Sequence, residues 1–214
     1  ALIAPSLIAC QGFSKLDYSH LASRAGWQHP ERVVESLALR KGDRVADIGA
    51  GDGYFVPYLV EAVGPEGRVY AVEVDAKKAE ALEALAAERG FENVVVIRGE
   101  FDDPLLPDHA IDLVFLCNTY HHIEGRPAYF ARLGRDLRQG GRIAVVDGKD
   151  DLSGLLALFS TDGHWTSLEA LHSELAEAGY QRVEGFDFLP TQNFEVFQAV
   201  HAVDEVASGS ASVE

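Results

Sequence analysis

The sequence predicts an α/β fold built on an open, mostly parallel sheet, and three observations carry the prediction. Apolar runs at residues 45–48, 68–74, 94–99, 111–118 and 142–147 alternate with longer helical stretches, the rhythm of successive βα units. The first run ends in glycines at alternate positions, Gly49, Gly51 and Gly53, before a helix-compatible segment opens at Tyr54. Residues 182–189 and 193–203 then read as two strands joined at Pro190-Thr191-Gln192, a closing hairpin.

Ahead of the first strand, residues 1–9 are apolar and uncharged and lead to Cys10. Leu7-Ile8-Ala9-Cys10 resembles a lipoprotein processing site, but the basic region of a signal peptide is missing. Two readings stand: a chain that has lost its initiator Met, or a mature exported chain trimmed upstream. The expected compartment is accordingly the cytoplasm or, after export, the periplasm or the medium. An ordered apolar arm must pack somewhere, so residues 1–9 are expected to make an assembly contact, with a homo-oligomer as one outcome. Residues 13–39 read as helical with a break at Gly26 to Pro30. Pro30 suits a first helical turn, and Val33, Val34, Leu37 and Ala38 supply an apolar stripe. The expected organisation is an arm with cap helices over 1–40, one domain over 41–205 and a flexible tail over 206–214.

Glycine tolerates positive φ and has no Cβ, so the turn at 49–53 can lay bare backbone against a ligand. In an open α/β sheet that turn lies at the carboxyl end of the first strand, where ligands bind. The spacing discriminates among ligands. A dinucleotide fingerprint places its third glycine three positions after the second; Tyr54 stands there, which disfavours a nicotinamide-dependent oxidoreductase. Asp47 and Asp52 put negative charge where a pyrophosphate would sit, so an amine or a sulfonium cation is the better match.

At Asp47-Ile48-Gly49-Ala50-Gly51-Asp52-Gly53 the chain resembles motif I of the class I S-adenosylmethionine-dependent methyltransferases, Asp-x-Gly-x-Gly-x-Gly. The resemblance implies a Rossmann-like, doubly wound sheet of seven strands with the last antiparallel, and S-adenosylmethionine as cofactor. It implies a cofactor cradle of Asp47, Gly49, Ala50, Gly51 and Gly53. An acid ending the second strand about 20 residues past the glycines can accept ribose hydroxyls. That residue is Glu73, followed by Val74, with Asp75 as the second candidate. Carried over by position, Glu100 and Phe101 border the adenine, with Asp102 as a substitute. Arg24, Trp27, Gln28 and Pro30 complete an Arg-x-x-Trp-Gln-x-Pro element like that of a group of small bacterial relatives. The N-terminal helices of such folds cover the cofactor; Trp27 either packs in that cap or contacts a ligand.

Residues 76–89 form an alanine- and leucine-rich helix ended by Gly90. The run at 111–118 is almost wholly apolar, as a central parallel strand buried on both faces requires. It leads into Asn118-Thr119-Tyr120-His121-His122, from which family members reach toward the methyl group. Asn118 is expected at the cofactor, and His121, His122 and Tyr120 are the catalytic candidates. An imidazole titrates near neutrality and suits a general base. No Cys or further His is spaced to complete a metal site with the pair, so no metal is expected. A helix is expected over 126–137, then a turn at Gln139-Gly140-Gly141 that resembles the family's Leu-x-Pro-Gly-Gly. Asp147, Lys149 and Asp150 read as solvated charges near the substrate, His164 and Trp165 as closing the pocket, and 167–178 as a last helix.

The 214 residues are enough to bury one stable core. With 34 acidic against 18 basic side chains the net charge is −16, which argues against nucleic acid as a partner. Two cysteines are too few for a disulfide framework or a thiolate zinc site, and whether Cys10 and Cys117 pair stays open. No run approaches the length of a membrane span. Methyl transfer to a small-molecule acceptor by in-line SN2 displacement is the function these readings favour. The alternative is a non-catalytic protein of the same fold, exported or intracellular, with a structural or assembly role.

Overall fold

The computed structural model describes residues 24–149 and 166–200. The expectations for the N-terminal arm, Cys10, Asp150, His164, Trp165 and the tail lie outside these residues. Seven strands, β1 (Arg44–Ile48), β2 (Arg68–Glu73), β3 (Val94–Arg98), β4 (Ile111–Cys117), β5 (Leu137–Gly148), β6 (Tyr180–Phe186) and β7 (Gln192–Ala199), form one sheet ordered β3-β2-β1-β4-β5-β7-β6. β1 to β5 pair in parallel, and β7 runs antiparallel to both β5 and β6. The chain order reverses between β1 and β4, so a crevice opens above their carboxyl ends.

Alternation along the strands divides the core in two. Val45, Val69, Leu113, Phe115, Val146 and Phe194 face one side, under α2 (Pro30–Ser36) and α3 (Val56–Val63). Ile48, Val72, Val114, Leu116 and Val145 face the other, under α5 (Arg126–Leu133) and α6 (Leu168–Glu177). The helix α4 (Ala76–Arg89) docks Leu82 on Ala71. Gly90 closes it in the left-handed conformation as expected, while Asp75, the second ribose candidate, caps its start by accepting the backbone N–H groups of Lys77 and Lys78 at 2.9 and 3.0 Å.

Three boundaries differ from expectation. The N-terminal break is a single residue: α1 (Arg24–Gln28) runs through Gly26, and only His29, at φ 44°, leaves the helical region before Pro30. A residue ahead of proline is driven out of the right-handed helical region by the pyrrolidine ring. The helix expected to reach 137 stops at Leu133, because Leu137 is buried and pairs with Ile111. β5 therefore starts before Gly140-Gly141 and carries them through a register shift opposite Ile111 and Leu113. The hairpin strands lie two to four residues earlier than expected at several ends, with Tyr180 and Gln192 already paired. Among the described residues no helix is long and apolar enough to cross a membrane.

Candidate active site

The glycine turn closes over the end of β1 and is tied to β2, where Val72 O accepts the N–H groups of Gly49 and Ala50 at 2.9 and 3.0 Å. Two glycines there have separate physical reasons. At Gly49, φ 74°, a Cβ would overlap the Thr119 side chain, so the turn can approach β4 only without one. Gly51, at φ 59°, turns its N–H onto Glu73 Oε2 at 3.0 Å. Glu73 Oε1 accepts from Val74 and Asp75 at 2.9 and 3.1 Å. Three backbone donors thus fix the carboxylate in one orientation and take most of its roughly four acceptor sites, leaving capacity chiefly on Oε2.

Above these groups lies a cleft of about 720 Å³, within the size range of small-molecule pockets. It brings together Gly49, Ala50, Gly51, Glu73, Val74, Glu100, Phe101, Asn118 and His122 of the expected residues. Phe101 is 84% exposed and offers an open aromatic face at the β3 end. Asn118 holds φ 54°, a conformation uncommon outside glycine and accessible to Asn, and its Oδ1 accepts Gln192 Nε2 at 2.8 Å.

The other expected residues sit elsewhere. Gly53 faces α4, where a Cβ would strike Leu82 and Leu85, so it serves helix packing. Asp47 is 3% exposed, beneath the turn. Burial, aided by the Glu73 and Asp52 carboxylates and opposed by the Arg24 guanidinium, pushes its carboxyl up to about 7. Tyr120 is fully buried, stacked on Phe130, with its hydroxyl donated to Glu174 at 2.5 Å; burial and that carboxylate push its hydroxyl well above the usual range. It is a core residue held away from the cleft wall. Cys117 lines the cleft, and burial raises its thiol far above the range in which thiolates form. Trp27 is half-buried on α1.

His121 stands beside His122 on the 3₁₀ turn Tyr120–His122, with ring centroids 3.9 Å apart. Its Nδ1 lies 2.8 Å from Asp147 Oδ1, and its backbone N–H donates to Asp147 Oδ2 at 3.0 Å. Gly148 N–H adds a donor to Oδ1 at 2.9 Å. Asp147 is 4% exposed, which corrects its reading as a solvated charge: the end of β5 lies under the 3₁₀ turn and is shielded by it. No periodicity or motif marks this pair in sequence, because β4 and β5 are joined only across the sheet. A second cavity, about 660 Å³, is lined by His121, His122, Arg126 and Glu174 and shares His122 and Ile123 with the first. Among the described residues no group of three metal-ligating side chains is present.

The residues fit S-adenosylmethionine: bare backbone at Gly49 and Gly51, an oriented carboxylate for hydroxyl donors, and an aromatic face for a base. The acidic lining suits a cation.

Residues 45–141 match the methyltransferase domain family. The chain is 40% identical over 68 residues to a protein-L-isoaspartate O-methyltransferase of Ignicoccus hospitalis, covering 32% of each chain. It is 33% identical over 115 residues to the nocamycin O-methyltransferase of Saccharothrix syringae, covering 54% of this chain and 41% of that one. The chain spans less than half the length of these curated relatives. In fold it resembles a SAM-dependent methyltransferase from Aquifex aeolicus, with a TM-score of 0.74, 23% identity, and coverage of 88% of this chain and all of that one. Over residues 45–141 the chain thus matches the methyltransferase domain family, and its described fold is similar to that of a SAM-dependent methyltransferase.

Proposed function

We propose that this protein methylates a small-molecule acceptor at a group that must lose a proton, a hydroxyl being the simplest case. The observation that carries the reading is the His121–Asp147 pair beside a cleft whose Glu73 is locked by three backbone donors. S-adenosylmethionine supplies an electrophilic methyl group on a sulfonium sulfur. The chain's part is to orient, to exclude water and to take a proton. Gly49, Gly51 and Glu73 hold the ribose end, and Glu100 with Phe101 borders the base. The Asp147 carboxyl, itself held by two backbone donors, faces His121 Nδ1 at 2.8 Å and orients the ring. His121 then accepts the acceptor's proton as the oxygen attacks, and Asp147 stabilises the imidazolium that forms. His122, shared by both cavities, borders the acceptor. The names of two relatives, the nocamycin O-methyltransferase and a 27-O-demethylrifamycin SV methyltransferase of Amycolatopsis mediterranei, support a small hydroxylated acceptor.

The test is calorimetric titration of S-adenosylmethionine and S-adenosylhomocysteine into wild type and Glu73→Ala, followed by a screen of hydroxylated acceptors. Binding by wild type and a loss of about 100-fold in the variant are expected, since hydrogen bonds to a charged acceptor are worth about 1.5–3 kcal/mol each. Absence of binding by folded wild type would leave the non-catalytic alternative, a methyltransferase fold working at its surface.

A further inference from the structure

Arg24 is the one side chain of the short helix α1 that reaches into the cleft, and its setting is built. Its Nε donates to Gln28 Oε1 at 2.7 Å, its Nη1 reaches Asp52 Oδ1 at 3.3 Å, and its Cζ lies 3.9 Å from the centre of the Tyr54 ring. Gln28, fully buried, is itself fastened: its Nε2 donates to Cys117 Sγ at 2.9 Å and to Gln192 Oε1 at 3.4 Å. The guanidinium plane is therefore fixed by three anchors. Among the described residues its Nη2 donors carry no protein partner.

Position along the cleft says what those donors meet. Glu73 ends β2, and Glu100 with Phe101 follows β3, so the nucleoside half of the ligand belongs over the β2–β3 side of the sheet. The ligand's other end must then extend across β1 toward β4, the region bounded by Arg24, Asp52 and Cys117. That end of S-adenosylmethionine is an α-amino acid, a carboxylate beside an ammonium. A carboxylate arriving among Asp47, Asp52 and Glu73, in a chain of net charge −16, is repelled unless a cation receives it. Lys78, the other cation of the lining, lies on α4 beyond Glu73, on the nucleoside side.

We infer that Arg24 is the residue that reads the carboxylate of the cofactor's amino-acid end, presenting its unused Nη2 edge, with the Asp52 carboxylate at the cleft wall set for the ammonium. The inference rests on the cofactor reading of the cleft. A guanidinium suits this task better than an ammonium because its planar fork meets both carboxylate oxygens and stacks on an aromatic ring. Sequence reading missed the role, because Arg24 lies 23 residues before Asp47 with only cap helices between them.

The test compares two ligands. S-adenosylhomocysteine carries the amino-acid end; 5′-methylthioadenosine keeps the nucleoside and the sulfur and lacks it. Both are titrated calorimetrically into wild type, Arg24→Gln and Arg24→Lys. Arg24→Gln is expected to weaken S-adenosylhomocysteine by about 10- to 100-fold and leave methylthioadenosine within about twofold, with Arg24→Lys recovering only part of the loss. Retained methylthioadenosine binding also certifies that the variant is folded. Equal weakening of both ligands would overturn the inference, because Arg24 would then merely hold α1 over the nucleoside. Unchanged affinity for both would overturn it as well. If folded wild type binds neither ligand, the cofactor reading itself is refuted, an outcome distinct from either of these.

Discussion

Asp47 offers the sharpest physical test of the site, because its carboxylate is buried where ionisation is costly. The perturbation is Asp47→Asn, which keeps the shape and removes the charge. In the folded chain the carboxyl is raised from 3.8 to about 7, with burial the largest cause. The penalty is absent below the unfolded value, grows as pH rises between the two values, and is complete above the folded one. At about 1.4 kcal/mol for each tenfold change in ionisation, the full cost is on the order of 4 kcal/mol. The asparagine variant should therefore be more stable than wild type at pH 8, by roughly 10 °C in Tm for a domain of this size. The gap should narrow as the pH falls through 7 and close near pH 4. Thermal unfolding of the ligand-free proteins across pH 4–8 measures it. A variant no more stable than wild type at pH 8, or a gap independent of pH, would refute the reasoning. An acid retained against stability at a ligand site is the pattern of a functional residue, since most positions with such a cost can be relieved by neutral substitution.

Asp147→Asn should slow methyl transfer by about 10- to 100-fold at neutral pH, because an amide can leave His121 with the wrong tautomer, while S-adenosylhomocysteine affinity stays unchanged; equal loss of binding and rate would show a structural role only. Tyr120→Phe removes the hydroxyl bonded to Glu174, which Arg126 still holds at 2.6 and 2.9 Å. It should lower stability by about 1 kcal/mol and leave rate and cofactor affinity alone; a large fall in rate at unchanged stability would restore Tyr120 as a catalytic residue.

What the sequence determined by itself was everything local. The alternation of apolar runs and helices specified the sheet, because burial on one or both faces imposes a period on consecutive residues. The glycine spacing marked the turn, since positive φ and close backbone approach leave few alternatives to glycine at Gly49 and Gly51. Glu73 was legible because strand length and crossover length fix how far the second strand end lies from that turn. Helix α4 was read to the residue, as its alanine- and leucine-rich run and its terminal Gly90 are local signals. The ends of α5 and β5 were misread because Leu137 pairs with Ile111 rather than continuing a helix. That choice is made by the sheet.

The tertiary structure alone decided which polar groups meet. Tyr120, His121 and His122 are consecutive, yet one is core, one is held by Asp147 and one lines the cleft. Gly53 belongs to motif I but answers to Leu82 and Leu85. Arg24 and Asp147 approach the site from α1 and from the end of β5, distant in sequence from the glycine turn. A side chain's partner across a sheet or from a cap helix follows from strand order and packing, which no local period encodes. The cradle proposed for the cofactor could thus be read from spacing, whereas the proposed proton-handling pair and the proposed carboxylate-reading arginine needed the assembled fold.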